Sequence, residues 1–475
     1  MIQLGKRTSR CALLAIAAFG ISADALAQTP PPAPAPAPEP APAPAPETAP
    51  APAPDPAQTP APVLVVPAPA TPPPAEPPKP VFPQMVNPPG LLRLNELFSF
   101  RPGLLIQMWA SAVQDNVPKL NGDAGDFAKN LYMRRGRLFM LGTIGDRITY
   151  VLLWESANLG LPGADGTKAI PPFAFNDAFM DLKLNKNISV EAGLMLLPFT
   201  RNILQSTTTY WSLDIASVSA TYITATQTNV LRDNGVQIKV NAADNHFEAR
   251  GMISQGLKLA DTAGPAGAGR LSGKNDPRFT GYLQYNFLDP ETGYVFNGQY
   301  FGKKRVAGIA LGADYQKTGD DNPYFATTAT AYASIPIHGP NPKGDDEIGG
   351  QVEYLHFHNG RIPTVGTAGT TMQKQNDLFV ELGYYNKAAK TSIFGKFEGR
   401  FLADDQFVAP GVPFSKLSTR TYGGGLKYFV AEAAANITLQ YSLTQVPDAP
   451  TDSATFGALA RHDQNNVTVQ FQLAY

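Results

Sequence analysis

The chain closes on a strict alternation. Val467, Val469, Phe471, Leu473 and Tyr475 are apolar, and Asn466, Thr468, Gln470 and Gln472 between them are amides or hydroxyls. Successive side chains of an extended strand point to opposite faces, so this segment presents one greasy face and one polar face. Ile437, Leu439, Tyr441 and Leu443 repeat the pattern against Asn436, Thr438, Gln440 and Ser442, as do Ile393, Phe397 and Phe401 against Lys396, Glu398 and Arg400. A soluble sandwich also alternates, with its polar face in water, but it rarely needs strands of this length.

From Gly90 onward the alternation predicts sixteen strands, at 104–114, 131–144, 147–156, 175–184, 188–196, 235–241, 246–253, 278–288, 305–315, 325–336, 347–358, 376–386, 391–401, 419–430, 435–445 and 465–475. Short connections carry turn chemistry, as in Gly145-Asp146, Asn185-Lys186-Asn187, Ala243-Asp244-Asn245 and Lys387-Ala388-Ala389. Long ones are rich in Gly or Pro, as in 157–174, 254–277, 359–375, 402–418 and 446–464. Short turns at one end, long loops at the other and an even strand number describe an outer-membrane barrel. Residues 294–301 also read as a strand, but counting them breaks the alternation of loop lengths, so 289–304 is assigned as a long connection on the short-turn side. Closure follows from the solvent: in hydrocarbon every backbone amide must be paired, and an open sheet edge leaves a row unpaired. The expected fold is a 16-stranded antiparallel transmembrane β-barrel preceded by a disordered Pro/Ala-rich segment. Sixteen strands enclose a bore too wide for wall side chains to fill, which implies an aqueous channel.

Ahead of the barrel stand two other materials. Lys6, Arg7 and Arg10, the apolar run 12–19 and Ala25-Leu26-Ala27 read as a signal peptide over 1–27. Of 45 prolines, 27 lie between Pro30 and Pro89. Proline fixes φ and lacks an amide donor, so 28–89 is expected as an extended periplasmic linker that reaches at most ~190 Å at ~3.1 Å per residue. It could touch the cell wall, and Val63-Leu64-Val65-Val66 is its one apolar docking candidate. The barrel domain is then 90–475. A net charge of −1 gives no basic face for nucleic acid. The single cysteine, Cys11, leaves with the signal peptide, which excludes disulfides and Cys-rich metal sites. Beyond the first thirty residues no apolar run approaches the ~18 residues of a membrane helix.

The polar faces would line the bore. They carry Arg135, Arg137, Lys183, Lys239, Arg250, Arg278, Lys396, Arg400 and Lys427, against Glu155, Asp177, Asp181, Glu191, Glu248, Asp314, Glu353, Asp377, Glu381 and Glu398. Acids and bases balance, so any selectivity is local. Arg135 and Arg137 share a face and either converge on an anion or pair with neighbours such as Glu155 or Asp177. The longest connection, 197–234, holds Arg201, Tyr210, Trp211, Asp214, Tyr222 and Arg232. It either narrows the bore or forms a surface cap or trimer-contact loop, and if it narrows the bore, deleting 205–225 enlarges single-channel current. Catalytic patterns are weak. His356 and His358 share an outward face, His246, His338 and His462 are scattered, and no nucleophile elbow is found. Gly423-Gly424-Gly425 lies within a strand and permits close packing. Tyr150, Trp154, Tyr285, Tyr384, Tyr428 and Phe429 are expected in interfacial girdles.

Several segments carry a family likeness. Met133-Arg134-Arg135-Gly136-Arg137-Leu138-Phe139-Met140-Leu141-Gly142-Thr143 with the Gly145-Asp146 turn and the strand at 148–155 resembles the opening hairpin of the phosphate-selective porin O and P family. Ala192-Gly193-Leu194-Met195-Leu196-Leu197-Pro198-Phe199 resembles its Gly-containing strand running into Pro-Phe, although Leu194, Leu196 and Leu197 stand where the family often has polar residues and Lys. Arg232-Asp233-Asn234-Gly235-Val236-Gln237 is similar to its Arg-Asp-x-Gly-Val-Gln entry, and Asp289-Pro290-Glu291-Thr292-Gly293-Tyr294 followed by Tyr300-Phe301-Gly302-Lys303-Lys304 to another segment. The resemblance implies a trimeric porin in the bacterial outer membrane, surrounded by its lipid, with 197–234 folded into the bore. It implies passive diffusion of small inorganic or organic solutes, anions such as phosphate among them. No enzyme activity, cofactor, metal or nucleic-acid partner is expected. Other readings of the same alternation are a barrel with a plugged lumen acting as hydrolase or adhesin, and a secreted soluble carbohydrate-binding β-protein.

Overall fold

The computed structural model describes residues 92–93, 97–163, 166–219, 231–258, 276–317, 323–358, 374–404, 407–409, 412–456 and 459–475. The expected signal peptide, the Pro/Ala-rich segment with Val63-Leu64-Val65-Val66, and Tyr222 lie outside the described residues.

Sixteen long strands run in chain order: β1 Phe98–Gln114, β2 Phe127–Ile144, β3 Ile148–Leu159, β4 Ala174–Lys183, β5 Ile188–Leu196, β6 Arg232–Ala242, β7 Phe247–Ser254 and β8 Arg278–Asn286, then β9 Val306–Gln316, β10 Tyr324–Pro336, β11 Glu347–His358, β12 Gln375–Asn386, β13 Thr391–Leu402, β14 Thr419–Ala431, β15 Ala435–Gln445 and β16 Gln464–Ala474. Each pairs antiparallel with its sequence neighbours, and β8 pairs with β9 through Leu283↔Leu311. The ring closes where β16 meets β1, with Val469 opposite Ala110 and Phe471 opposite Met108. A short piece, Leu92–Arg93, pairs with the start of β1 opposite Phe100 and Ser99. No helix among the described residues is long and apolar enough to cross a membrane; the strands cross instead.

The two faces separate by polarity. Val467, Phe471, Leu473, Ile437, Leu439, Leu426, Ile393 and Leu382 face outward and are exposed, while Thr468, Gln470, Gln472, Thr438, Gln440 and Glu381 are buried within the ring. Among the described strand residues the outward rows carry no Asp or Glu. A carboxylate there would face hydrocarbon with no counter-ion. Tyrosines mark both rims. The Tyr150 hydroxyl donates to Ser99 O at 3.2 Å and Tyr384 to Asp346 at 2.6 Å at the short-turn end. At the long-loop end Tyr354 and Tyr441 donate to Asn376 and Asn465, each at 2.6 Å. Phe429 corrects the expected girdle. It shares the inward row of Lys427 and packs edge-on against Phe301 and Tyr385, with ring centroids 5.1 and 5.5 Å away.

β1 and β2 begin earlier than the alternation suggested. Residues 294–301 form no strand; they belong to the β8–β9 connection on the short-turn side, as assigned from loop lengths. That connection folds inward. Phe296 is buried in a luminal apolar cluster with Met195, Leu197, Phe199, Leu204, Phe357 and Phe379.

Candidate functional site

Two connections meet inside the ring. The first, leaving β5 at the long-loop end, carries residues 197–219 across the bore. Its backbone amides are caught by carboxylates on the inward rows of the far wall. Asn202 N donates to Glu353 at 3.3 Å, Ser212 N to Glu381 at 2.8 Å and Ser217 N to Glu398 at 2.6 Å. Leu213 N donates to Gln440 Oε1 at 3.0 Å, and Lys427 donates to Tyr210 O at 2.6 Å. A loop entering a bore must replace the water on its amides, and this wall supplies acceptors in register with it. Burial raises the Tyr210 phenol well above its ordinary range.

Trp211 explains two glycines. Gly349 on β11 and Gly383 on β12 face each other across the pair. A Cβ at Gly383 would lie 2.1 Å from Trp211 Cε3, and one at Gly349 would lie 2.8 Å from Cζ2. Their lack of side chains makes a flat bed for the indole, which is 1% exposed.

The β8–β9 connection comes from the opposite end and binds the first insert edge to edge. Ser206 N donates to Phe296 O and Phe296 N to Leu204 O, both at 2.7 Å, and Gly298 N donates to Thr209 Oγ1 at 3.1 Å. Arg201 donates to both oxygens of Glu291 at 2.7 and 2.9 Å. Tyr300 and Gly302 amides both end on Glu347, and Tyr294 donates to Asp177 at 2.5 Å.

Among the described residues most of the inward cations have carboxylate partners from the chain. Arg137 pairs with Glu155 at 2.9 Å, Lys239 with Glu191 at 3.6 Å, Arg250 with Glu248 at 2.7 Å, Arg278 with Asp314 at 2.8 Å, and Lys396 with Glu398 at 2.6 Å. Arg232 reaches Asp177 at 3.0 Å. Arg400 lies directly across from Asp377 in the β12–β13 register. Asp181 and Lys183 stand half-buried on the inward row of β4 near the short-turn end, where Thr149 donates to Asp181 at 3.4 Å. Arg135 does not converge with Arg137 on a vacant point: it donates to Asp214 at 2.5 Å and sits 3.8 Å from Glu155. Burial opposes the charge on Asp214, yet the Arg135 and Arg134 guanidiniums outweigh it and hold the carboxyl well below the usual range.

Sequence reasoning left out Arg134 and Glu291. Alternation puts Arg134 on the greasy face, but a bulge turns it inward. Gln107 pairs with Arg135 and Met108 with Met133, so Arg134 is the extra residue. Glu291 sat in a motif noted for its family likeness, which was the available signal. His356 and His358 stack outward with ring centroids 6.4 Å apart, and His356 Nδ1 donates to Asn376 at 2.6 Å. Among the described residues no group of acids, His or Cys is arranged to hold a metal. Gly425 packs closely, since a Cβ there would meet Leu439 O at 2.2 Å.

A closed ring of sixteen antiparallel strands, greasy outside and polar inside, with a connection folded across its bore, defines an outer-membrane porin, a channel for passive diffusion of solutes in the bacterial outer membrane. Within that class, residues 104–276 match the model of the family described as phosphate-selective porin O and P. No curated protein matches the sequence. Among solved structures the chain is similar to the outer membrane channel DcaP of Acinetobacter baumannii (9% identity, 81% of this chain and 99% of that one, TM-score 0.49). It is also similar to Salmonella typhi OmpF in complex with daunomycin (13% identity, 81% and 100%, TM-score 0.48) and to the trimer form of OmpT of Vibrio cholerae (10% identity, 80% and 100%, TM-score 0.45).

Proposed function

We propose that small hydrophilic solutes, small anions included, cross this channel along the side of the bore bounded by β14–β16, β1 and β2, with weak discrimination by charge. The observation that carries this reading is the pairing of the luminal cations: Arg137, Arg201, Arg232, Lys239, Arg250, Arg278 and Lys396 each have a carboxylate partner from the chain itself. A paired guanidinium offers little long-range field to a passing ion, because its counter-charge lies well within one Debye length. The choice of side rests on exposure. Thr207, Asp214, Ile215 and Ser217 form the partly exposed edge of the insert, and Trp109, Thr421, Thr444 and Asn466 are half-buried on that wall. On this reading Tyr210 and Trp211 set the width by holding the insert, while Arg135, Arg137 and Asp214 meet the solute. The channel catalyses nothing and needs no cofactor. It works as a homotrimer, and 28–89 is a periplasmic spacer in reach of the cell wall.

Reversal potentials of purified protein in planar bilayers, with asymmetric potassium chloride and then potassium phosphate, test the reading. The chloride-to-potassium permeability ratio should fall within about threefold of unity, as expected where no ring of uncompensated charge lines the path. Strong selectivity for phosphate over chloride would overturn it.

A further inference from the structure

The bulge at Arg134 carries an inference that rests on the channel reading and names a ligand class for it. Two consecutive residues of a regular strand cannot serve one face. Here the extra residue on β2 brings both guanidiniums to the same carboxylate: Arg134 Nε and Nη2 approach Asp214 Oδ2 at 3.0 and 2.8 Å, and Arg135 Nη2 approaches Oδ1 at 2.5 Å. The fork is held from behind. Asn158, itself in the left-handed region at φ 60°, accepts from Arg134 at 3.0 Å, Gln107 accepts from Arg135 at 2.9 Å, and Arg134 lies 5.3 Å from the Trp109 ring. Three guanidiniums (Arg134, Arg135, Arg137) stand against two carboxylates (Glu155, Asp214), so the cluster keeps one net positive charge with Asp214 in place and two without it.

We propose that Arg134 and Arg135 form a binding fork for a small carboxylate solute, occupied in this structure by the chain's own Asp214, and that such a solute crosses by exchanging with Asp214. Three features support exchange. Asp214 is borne on the inserted loop rather than on the wall. Its side chain is 14% exposed and that of Arg134 22%, so solvent reaches the pair, unlike Arg278 and Asp314 at 0%. A monocarboxylate restores the charge balance that Asp214 provides, and planar guanidiniums suit the two oxygens of a carboxylate. The bulge is then the feature that builds the site, as bulges often re-aim side chains beside functional positions.

The test is inhibition of chloride current by propionate, in planar bilayers, for the wild type, Asp214→Asn and Asp214→Glu. Assembly of each barrel is first checked by heat-modifiable migration. If Asp214 holds the fork about nine-tenths of the time, removing its charge should raise the apparent affinity for propionate about tenfold, since an internal competitor divides affinity by the free fraction. Asp214→Glu should restore weak inhibition, and adding Arg134→Gln and Arg135→Gln to Asp214→Asn should abolish the gain. Equal propionate inhibition in the wild type and Asp214→Asn, or a gain that survives loss of both arginines, overturns the fork. Absence of any current from assembled wild-type protein would instead overturn the channel reading, and the fork with it.

Discussion

Arg201 and Glu291 join the two inserted segments inside the bore, one reaching in from the long-loop end and the other from the short-turn end. The pair is bidentate, at 2.7 and 2.9 Å, and Arg201 also lies 3.5 Å over the ring of Tyr332. Tyr300 donates to Glu291 as well, and its phenol is raised well above the ordinary range, by burial first and by the Glu291 charge second. Removing one partner of a buried pair leaves an uncompensated charge that costs about 3–5 kcal/mol. Glu291→Gln should therefore loosen both inserts while leaving the strand ring assembled. Single-channel recordings should show larger and noisier current than the wild type.

The glycine bed under Trp211 gives a steric counterpart. Gly383→Ala places a methyl group 2.1 Å from the indole, against a strand that cannot yield without breaking its register. Overpacking of this kind costs about 1–3 kcal/mol, and displacement of the ring relieves it. The chain has three tryptophans, so a Trp109→Phe, Trp154→Phe background isolates Trp211 emission. Gly383→Ala in that background should shift the emission to longer wavelength as the ring meets water.

The outward face makes a different demand. Leu439 sits mid-strand on β15, 44% exposed, between Thr438 and Gln440, which are buried inside. An arginine facing hydrocarbon near the midplane costs about 2–4 kcal/mol. Leu439→Arg should lower folding stability into lipid vesicles by that amount, measured by denaturant titration, whereas Gln440→Arg should act mainly on the insert, through Leu213.

How far the fold could be read in advance follows from what a period of two reports. It states which face a side chain takes, and Val467 to Tyr475 or Ile437 to Leu443 had no second way to satisfy a hydrocarbon exterior and a polar interior. It does not state what fills the interior. The inward path of 287–305 was invisible because its apolar residues, Phe296 and Phe301, serve an inner core rather than either wall. Phe429 misled for the same reason: an aromatic near a strand end suits a girdle, and only the presence of Phe301 turns its row into packing. Arg134 was left out of the wall because a bulge breaks the alternation from which the strand charges were located. Pairing was legible only as a possibility, since Arg137 with Glu155 is a cross-strand neighbour relation but Arg201 with Glu291 is not.

Asp214 should keep its charge below the ordinary carboxylate range. Burial works against its ionisation, but Arg135 and Arg134 prevail, so its folded pKa lies below the ordinary value of 3.8. A depressed carboxylate contributes stability that is fully present above its unfolded pKa and is lost as pH falls through the folded one. The contact between Asp214 and the two arginines should thus hold at full strength from neutral pH through the ordinary carboxylate range, and weaken only as pH approaches the lower folded value. Conductance measured at constant ionic strength should stay level across that window and rise beneath it as the neutral side chain releases the arginines. In Asp214→Asn the acid-induced rise should be missing, because the charge whose loss drives it is already gone; a rise of the same size in the variant would assign the acid response to another group.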